Sequence, residues 1–208
     1  MLVFDFFAGT GSSTRAFEDA GDTVITFELD KQFDVTEHAD IMKLTAHELI
    51  RKYGRPDFVW ASPPCTAFSV ASIGHHWTGG KGAYIPKTEE ATYNQGLVSK
   101  TREIIDALNP RNGYLIENPR GVLRKLSPVQ GLLRHTVTYC QYGDDRMKPT
   151  DLWGGVPGWV PREMCKNGDD CHTAAPRGSR TGTQGRAGAR ERSMVPYELG
   201  KEIRDAMS

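Results

Sequence analysis

The chain has 208 residues, room for one sizeable core and a small appended lobe. Lys+Arg and Asp+Glu each total 26, so bulk charge argues for no polyanionic partner and any basic surface must be local. No run approaches the ~20 apolar residues of a membrane span, and MLVFDFFAG starts without a charged leader, so we expect neither a membrane segment nor a signal peptide.

Residues 2–7 (LVFDFF) predict a strand that feeds a glycine turn, AGTGSS. Ser12 or Ser13 can cap a following helix that carries Ala16, Phe17 and Ala20 and stops at Gly21. Residues 23–28 (TVITFE) predict a second strand, and Thr45 can cap a short helix, AHELIRKY, ended by Gly54. Residues 57–61 (DFVWA) predict a third strand that runs into Ser62-Pro63-Pro64. Residues 66–88, rich in Gly, His, Ser and Thr, predict a long mobile loop. Leu97, Ile104, Ile105 and Leu108 give residues 90–107 a helical period. Residues 113–117 (GYLIE) and 135–142 (HTVTYCQY) predict further strands. Strands alternating with helices imply an α/β fold with a doubly wound, mostly parallel sheet. Residues 154–192 carry no apolar period and predict an irregular Gly/Arg-rich lobe. Pro196 then suits the first turn of a last helix, YELGKEIRDAM.

Three acids and two glycines fall at successive predicted strand ends. Asp5, Gly9 and Gly11 flank the first turn, where glycines let a ligand approach the backbone. Glu28 ends the second strand, where an acid can bind ribose hydroxyls, and Asp40 could accept from an adenine amino group. The plain alternative for both is a solvated carboxylate. Together they favour an adenosine-type cofactor. A pyrophosphate fits less well, because G-T-G-S-S lacks the third glycine of the dinucleotide pattern.

Cys65 follows two prolines that stiffen its turn, which makes it a nucleophile candidate rather than a buried small residue. Glu117 ends the strand YLIE, and strand ends of a parallel sheet line one crevice, so Glu117 and Cys65 should face the same space.

These residues resemble the DNA cytosine-5 methyltransferase family, and in particular its small phage-encoded members. D-F-F-A-G-T-G (5–11) is similar to its first cofactor motif, with Glu28 and Asp40 at its ribose and adenine contacts. S-P-P-C-T-A-F-S (62–69) resembles its Pro-Cys motif, E-N-P (117–119) its Glu-Asn-Val motif, and R-S-M-V-P-Y-E-L-G-K-E-I (192–203) its last motif. The resemblance implies a Rossmann-like fold that binds S-adenosylmethionine through Asp5, Phe6, Phe7, Gly9, Gly11, Glu28, Asp40, Ile41 and Pro63. It implies Cys65 as nucleophile toward cytosine C6 and Glu117 as partner of N3, with Arg146 and Lys148 completing the catalytic set. DNA would meet Phe68, Ser69 and Asn118, its target base flipped out. Arg146-Met147-Lys148-Pro149-Thr150 departs from the family's Gln-x-Arg-x-Arg: Lys148 matches one arginine and Thr150 replaces the other. The resemblance divides the chain into a catalytic part, 1–150 plus 192–208, and a short target-recognition lobe, 151–191.

Over residues 173–192, Arg177, Arg180, Arg186, Arg190 and Arg192 stand against Glu191 alone and could follow a phosphate backbone. His75, His76 and Trp77 could fill the gap left by a flipped base, or lie on a surface loop. Cys140, Cys165, Cys171 and His172 make a Cys3His set of the kind that binds structural zinc, although the spacing is that of no standard finger. The alternative is four unlinked side chains. The cysteines do not form a secreted disulfide pattern. We expect a monomer in the cytoplasm of a bacterial or phage-infected cell. Three rival functions stay open: an amino-methyltransferase, a non-catalytic DNA- or cofactor-binding relative, and an enzyme acting on RNA.

Overall fold

The computed structural model describes residues 1–79, 83–174 and 188–208. A parallel sheet covered on both faces needs near-continuous apolar strands. The sequence supplies them in β1 (Leu2–Phe6), β2 (Thr23–Glu28) and β4 (Phe58–Ala61), the last buried at every position. With β3 (Glu37–His38), β7 (Tyr114–Pro119), β8 (Arg134–Thr138) and β9 (Pro149–Gly155) they build one sheet in the order β3-β2-β1-β4-β7-β9-β8. The first five strands in that order run parallel, and β9 runs antiparallel to both β7 and β8. A two-stranded ribbon, β5 (Trp77–Thr78) with β6 (Ile85–Pro86), stands apart.

Helices cover both faces. Phe4, Phe6, Ile25 and Phe27 pack under α2 (Ala46–Tyr53) and α4 (Glu89–Leu108) through Leu49, Leu97, Val98, Ile104 and Ile105. Val3, Phe58 and Trp60 point the other way, toward α1 (Arg15–Asp19) and α6 (Tyr197–Asp205), and meet Phe17, Leu199 and Ile203. Gly200 lets α6 lie directly on the α1 turn, since a Cβ there would sit 2.9 Å from the Ser13 carbonyl oxygen. A short α3 (Ile73–His76) precedes the ribbon, and α5 (Ala189–Ser193) precedes α6. Thr45 accepts from the Glu48 N–H and donates to its carboxylate, a reciprocal cap on α2. Thr88 caps α4 through the Ala91 N–H.

The structure corrects several expectations. The strand 2–7 ends at Phe6, and neither Ser12 nor Ser13 caps α1, whose N-cap residue is Thr14. The strand 135–142 stops at Thr138, where Tyr139–Tyr142 turns into a 3-10 helix. Pro149–Gly155 is a central strand, so the boundary at 150/151 cuts an element of the main sheet. Proline, aspartate and two glycines hide that strand in the sequence. Asp151 is fully buried because Arg124 (2.6 and 3.0 Å) and Thr136 (2.7 Å) satisfy it. Residues 66–88 are no free loop over their described part. Trp77 donates to the Ala67 carbonyl (2.6 Å), His76 pairs with Thr88 (2.8 Å), and the Val122 N–H donates to the Phe68 carbonyl (2.9 Å).

Candidate active site

The C-terminal ends of β1, β2, β4 and β7 open into one crevice, the usual ligand position of such a sheet. At the end of β1 the chain bends through left-handed backbone at Phe7 (φ 61°), Gly9 (φ 52°) and Gly11 (φ 70°). Asp5 lies behind that bend, fully buried. Its Oδ2 accepts from the Ser13 and Thr14 hydroxyls at 2.7 Å each, so it props the turn and lines neither cavity of the crevice. This corrects its expected role as a cofactor contact. Phe6 likewise belongs to the core, and Gly11 lines a neighbouring hollow.

Burial pushes the Asp5 carboxyl up to about 7, against the two hydroxyls that pull it down. An acid raised on folding holds its proton more tightly in the folded chain. Its contribution is therefore most favourable below the unfolded value of 3.8 and fades as the pH climbs to about 7. Asp5→Asn removes that slope. Paired melts from pH 4 to 8 should show the wild-type protein losing on the order of 4 kcal/mol relative to the variant between pH 4 and 7. Parallel curves would contradict the assignment.

The first cavity, about 330 Å3, is lined by Phe7, Glu28, Asp40, Ile41, Asn94 and Leu97 among others. Glu28 accepts from the Gly9 N–H (3.1 Å) and from the Leu29 and Asp30 N–H groups (2.8 and 3.0 Å). It thereby ties the β1 turn to the end of β2. Asp40 caps the 3-10 turn Ile41–Lys43 through Oδ1 and the Met42 N–H (3.0 Å). The lining is mainly apolar with acids at one side, suited to a flat ring with hydroxylated attachments.

The second cavity, about 250 Å3, shares Phe7 and Pro64 with the first. Gly9, Pro63, Cys65, Glu117, Lys148 and Arg192 are among its lining residues. The Cys65 turn is fixed from two sides. Asn118, buried at the end of β7, donates its amide to the Pro63 carbonyl at 2.8 Å, and Trp60 donates to Ser62 at 2.8 Å. Asn118 is thus a clamp on the Cys65 turn and not a surface contact. Phe68 also turns inward, stacked with Trp77 at 6.1 Å, while half-buried Ser69 pairs with Ser72 at 2.9 Å.

Glu117 is 5 % exposed and accepts from the Tyr139 hydroxyl at 2.9 Å. Burial and the adjacent carboxylate push the Tyr139 phenol well up, which keeps it a donor. Burial pushes the Cys65 thiol up too; Glu117 adds to that, and Lys148 and Arg192 pull it back. Burial lowers the Lys148 ammonium, with Glu117 and Cys65 opposing. Lys148 donates to the Arg192 carbonyl at 3.0 Å and lies 4.5 Å over the Tyr139 ring. Arg146 does not join them. It is buried in an ion pair with Asp144, bonds the Glu191 and Arg192 carbonyls (3.3 and 3.4 Å), and acts as a brace.

Sequence reasoning missed Tyr139 as a functional side chain, since its only signal was an apolar run. Arg192 was read as part of a basic stretch, yet it lines the second cavity. Arg190 lies 5.5 Å over the Phe33 ring, whereas Arg177, Arg180 and Arg186 lie outside the described residues. His76 and Trp77 are buried, and the four candidate metal ligands converge away from both cavities.

The model of a family described as C-5 cytosine-specific DNA methylase matches residues 1–128. A Frog virus 3 (isolate Goorha) protein described as "Probable DNA (cytosine-5)-methyltransferase" is 31% identical over 176 residues, 82% of this chain and 78% of that protein. Solved structures share the fold. The Entamoeba histolytica methyltransferase EhMeth gives a TM-score of 0.56 at 12% identity over 79% of this chain and 56% of its own. A Spodoptera frugiperda DNMT2 mutant gives 0.51 at 15% over 84% and 57%, and S. pombe Dnmt2 gives 0.52 at 13% over 78% and 51%. The chain spans about half the length of these structures. The fold is accordingly the Rossmann-like methyltransferase fold. By the match to its first 128 residues and the 31% identity to the viral protein, this chain belongs to the C-5 cytosine-specific DNA methylase family.

Proposed function

We propose that the protein transfers a methyl group from S-adenosylmethionine to C5 of cytosine in DNA. The observation that carries this reading is the shared wall: a cavity holding Cys65 and Glu117 abuts, at Phe7 and Pro64, a cavity edged by Glu28 and Asp40. Glu28 and Asp40 would hold the ribose and adenine of the cofactor, with Phe7, Ile41 and Leu97 around the ring. When bound, the cofactor supplies an electrophilic methyl group.

Cys65, as thiolate, adds to C6 and leaves C5 electron-rich. Glu117 holds a proton at N3 and so neutralises the charge that the addition pushes into the ring. The proton lost by Cys65 and the proton needed at N3 are equal in number, and the thiol and carboxylate share one cavity. Lys148 and Arg192 favour the thiolate once DNA approaches. After methylation the C5 proton passes to water, the C6–S bond breaks to return the thiolate, and the N3 proton goes back through Glu117. In this reading the target cytosine rotates out of the duplex to reach Cys65. Arg177, Arg180 and Arg186 would track phosphates. The chain would act as a monomer in the cytoplasm of a bacterial or phage-infected cell.

Mass spectrometry of nucleosides tests the reaction. Duplex DNA incubated with protein and S-adenosylmethionine should yield 5-methyldeoxycytidine. Products methylated on an exocyclic amine, or no product from DNA that binds, would overturn the reading. A parallel tRNA incubation decides between DNA and RNA as acceptor.

A further inference from the structure

We propose that Cys140, Cys165, Cys171 and His172 form a structural zinc site that fastens residues 157–174 to the end of β8. The four ligand atoms lie within 4.8 Å of one another. Cys140 Sγ is 3.6 Å from Cys171 Sγ, and His172 Nδ1 is 3.7 Å from Cys165 Sγ and 3.5 Å from Cys171 Sγ. A tetrahedral zinc ion with ordinary bond lengths sets such pairs about 3.5–3.8 Å apart. Cys140 and Cys165 are closer, at 3.0 Å, yet far beyond the roughly 2.05 Å of a disulfide bond, and all four cysteines are free thiols.

The backbone places the ligands before any metal arrives. Cys140 sits in the 3-10 turn after β8. The Cys165 N–H donates to the Thr138 hydroxyl (3.1 Å), and the Thr173 N–H donates to the Asp145 carbonyl (3.0 Å). The adjacent pair Cys171-His172 reaches the cluster because the histidine turns its near nitrogen, Nδ1, inward.

The segment also has reason to need a cross-link. Residues 157–174 form no helix or strand and bury only Trp159 and Cys165. So little apolar burial leaves the ordering entropy of the segment unopposed. Three thiolates and an imidazole are a donor set that suits zinc. All four positions are filled by protein, so no place remains for water or substrate. The role is structural, and one ligand, Cys140, directly follows Tyr139, the donor to Glu117, in the chain.

The test uses the whole chain, purified in reductant without chelator. Elemental analysis should give about one zinc per chain. A strong chelator should release it, expose the Cys140, Cys165 and Cys171 thiols to Ellman's reagent and lower the melting midpoint. Refilling with cobalt(II) should give the visible absorption of a tetrahedral thiolate complex. Cys171→Ser, at an exposed position, should cut bound zinc severalfold. Folded wild-type protein with essentially no zinc and freely titrating thiols would overturn the proposal, as would a Cys140–Cys165 disulfide in non-reducing mass spectrometry. The cobalt spectrum is recorded on wild-type protein, so a variant that misfolds does not obscure the result.

Discussion

Cys65→Ala should lower methyl transfer to DNA by about 10^4-fold or more while the chain stays folded, the scale expected when a covalent nucleophile is removed. The prediction separates chemistry from stability because of where the thiol lies. Cys65 belongs to neither hydrophobic cluster and is only partly buried. Its turn is held by Asn118 on Pro63 and by backbone bonds from Phe68 and Ser69 to the Cys65 carbonyl (2.9 and 3.2 Å), none of which involves the sulfur. Alanine keeps that frame and deletes the reacting atom. Duplex DNA containing 5-fluorocytosine gives the matching positive result. Fluorine cannot leave C5 as a cation, so the wild-type adduct persists and should survive denaturing electrophoresis, whereas the alanine variant should give none. A denaturation-resistant complex with Cys65→Ala, or activity within tenfold of wild type, would remove the covalent mechanism.

Glu117→Gln should cost about 10²- to 10⁴-fold in turnover, the usual range for loss of a general acid. Glutamine retains a carbonyl that can accept from Tyr139, so the buried pair stays bonded and the melting midpoint should barely move. What it loses is a carboxyl that can carry a proton to the ring. Tyr139→Phe provides the contrast. It keeps the aromatic body, the cation contact with Lys148 and the carboxyl, and removes the hydroxyl that donates to Glu117 at 2.9 Å and also meets Thr150. A loss of about tenfold is expected, since one hydrogen bond to a charged group is worth roughly 1.5–3 kcal/mol and part of it is regained from solvent. Equal losses from the two variants would assign Glu117 a positioning role instead of a proton-carrying one.

The parts of the fold legible in the sequence were those written in a single periodicity. LVFDF, TVITFE and FVWA are short runs dominated by apolar and β-branched residues, as strands covered on both faces tend to be, and Thr45 opens a helix with a recognisable cap. β9 was illegible because its stability is tertiary. Asp151 is tolerated mid-strand only through Arg124 and Thr136, which lie 27 and 15 residues away. The site followed the same division. Cys65 and Glu117 sit at strand ends flanked by prolines, and strand ends converge by topology alone. Asp5, Phe68, Asn118 and Arg146 occupy the same motifs, yet they support the site from behind, and only the direction of each side chain distinguishes support from contact. Tyr139 showed only as part of a predicted strand, since its bond to Glu117 depends on β9 lying between β7 and β8 in the sheet.

That insertion has a dynamic consequence. Over Tyr114–Ile116, β7 is paired along both edges, to β4 on one side and β9 on the other, so amides there should exchange with solvent only through opening on the scale of the whole domain. The segment after Pro64 has no such double ladder and can breathe locally. Glu117 directly follows Tyr114–Ile116 and pairs with β9 alone, so its carboxylate is carried on the slowest-opening strand of the sheet.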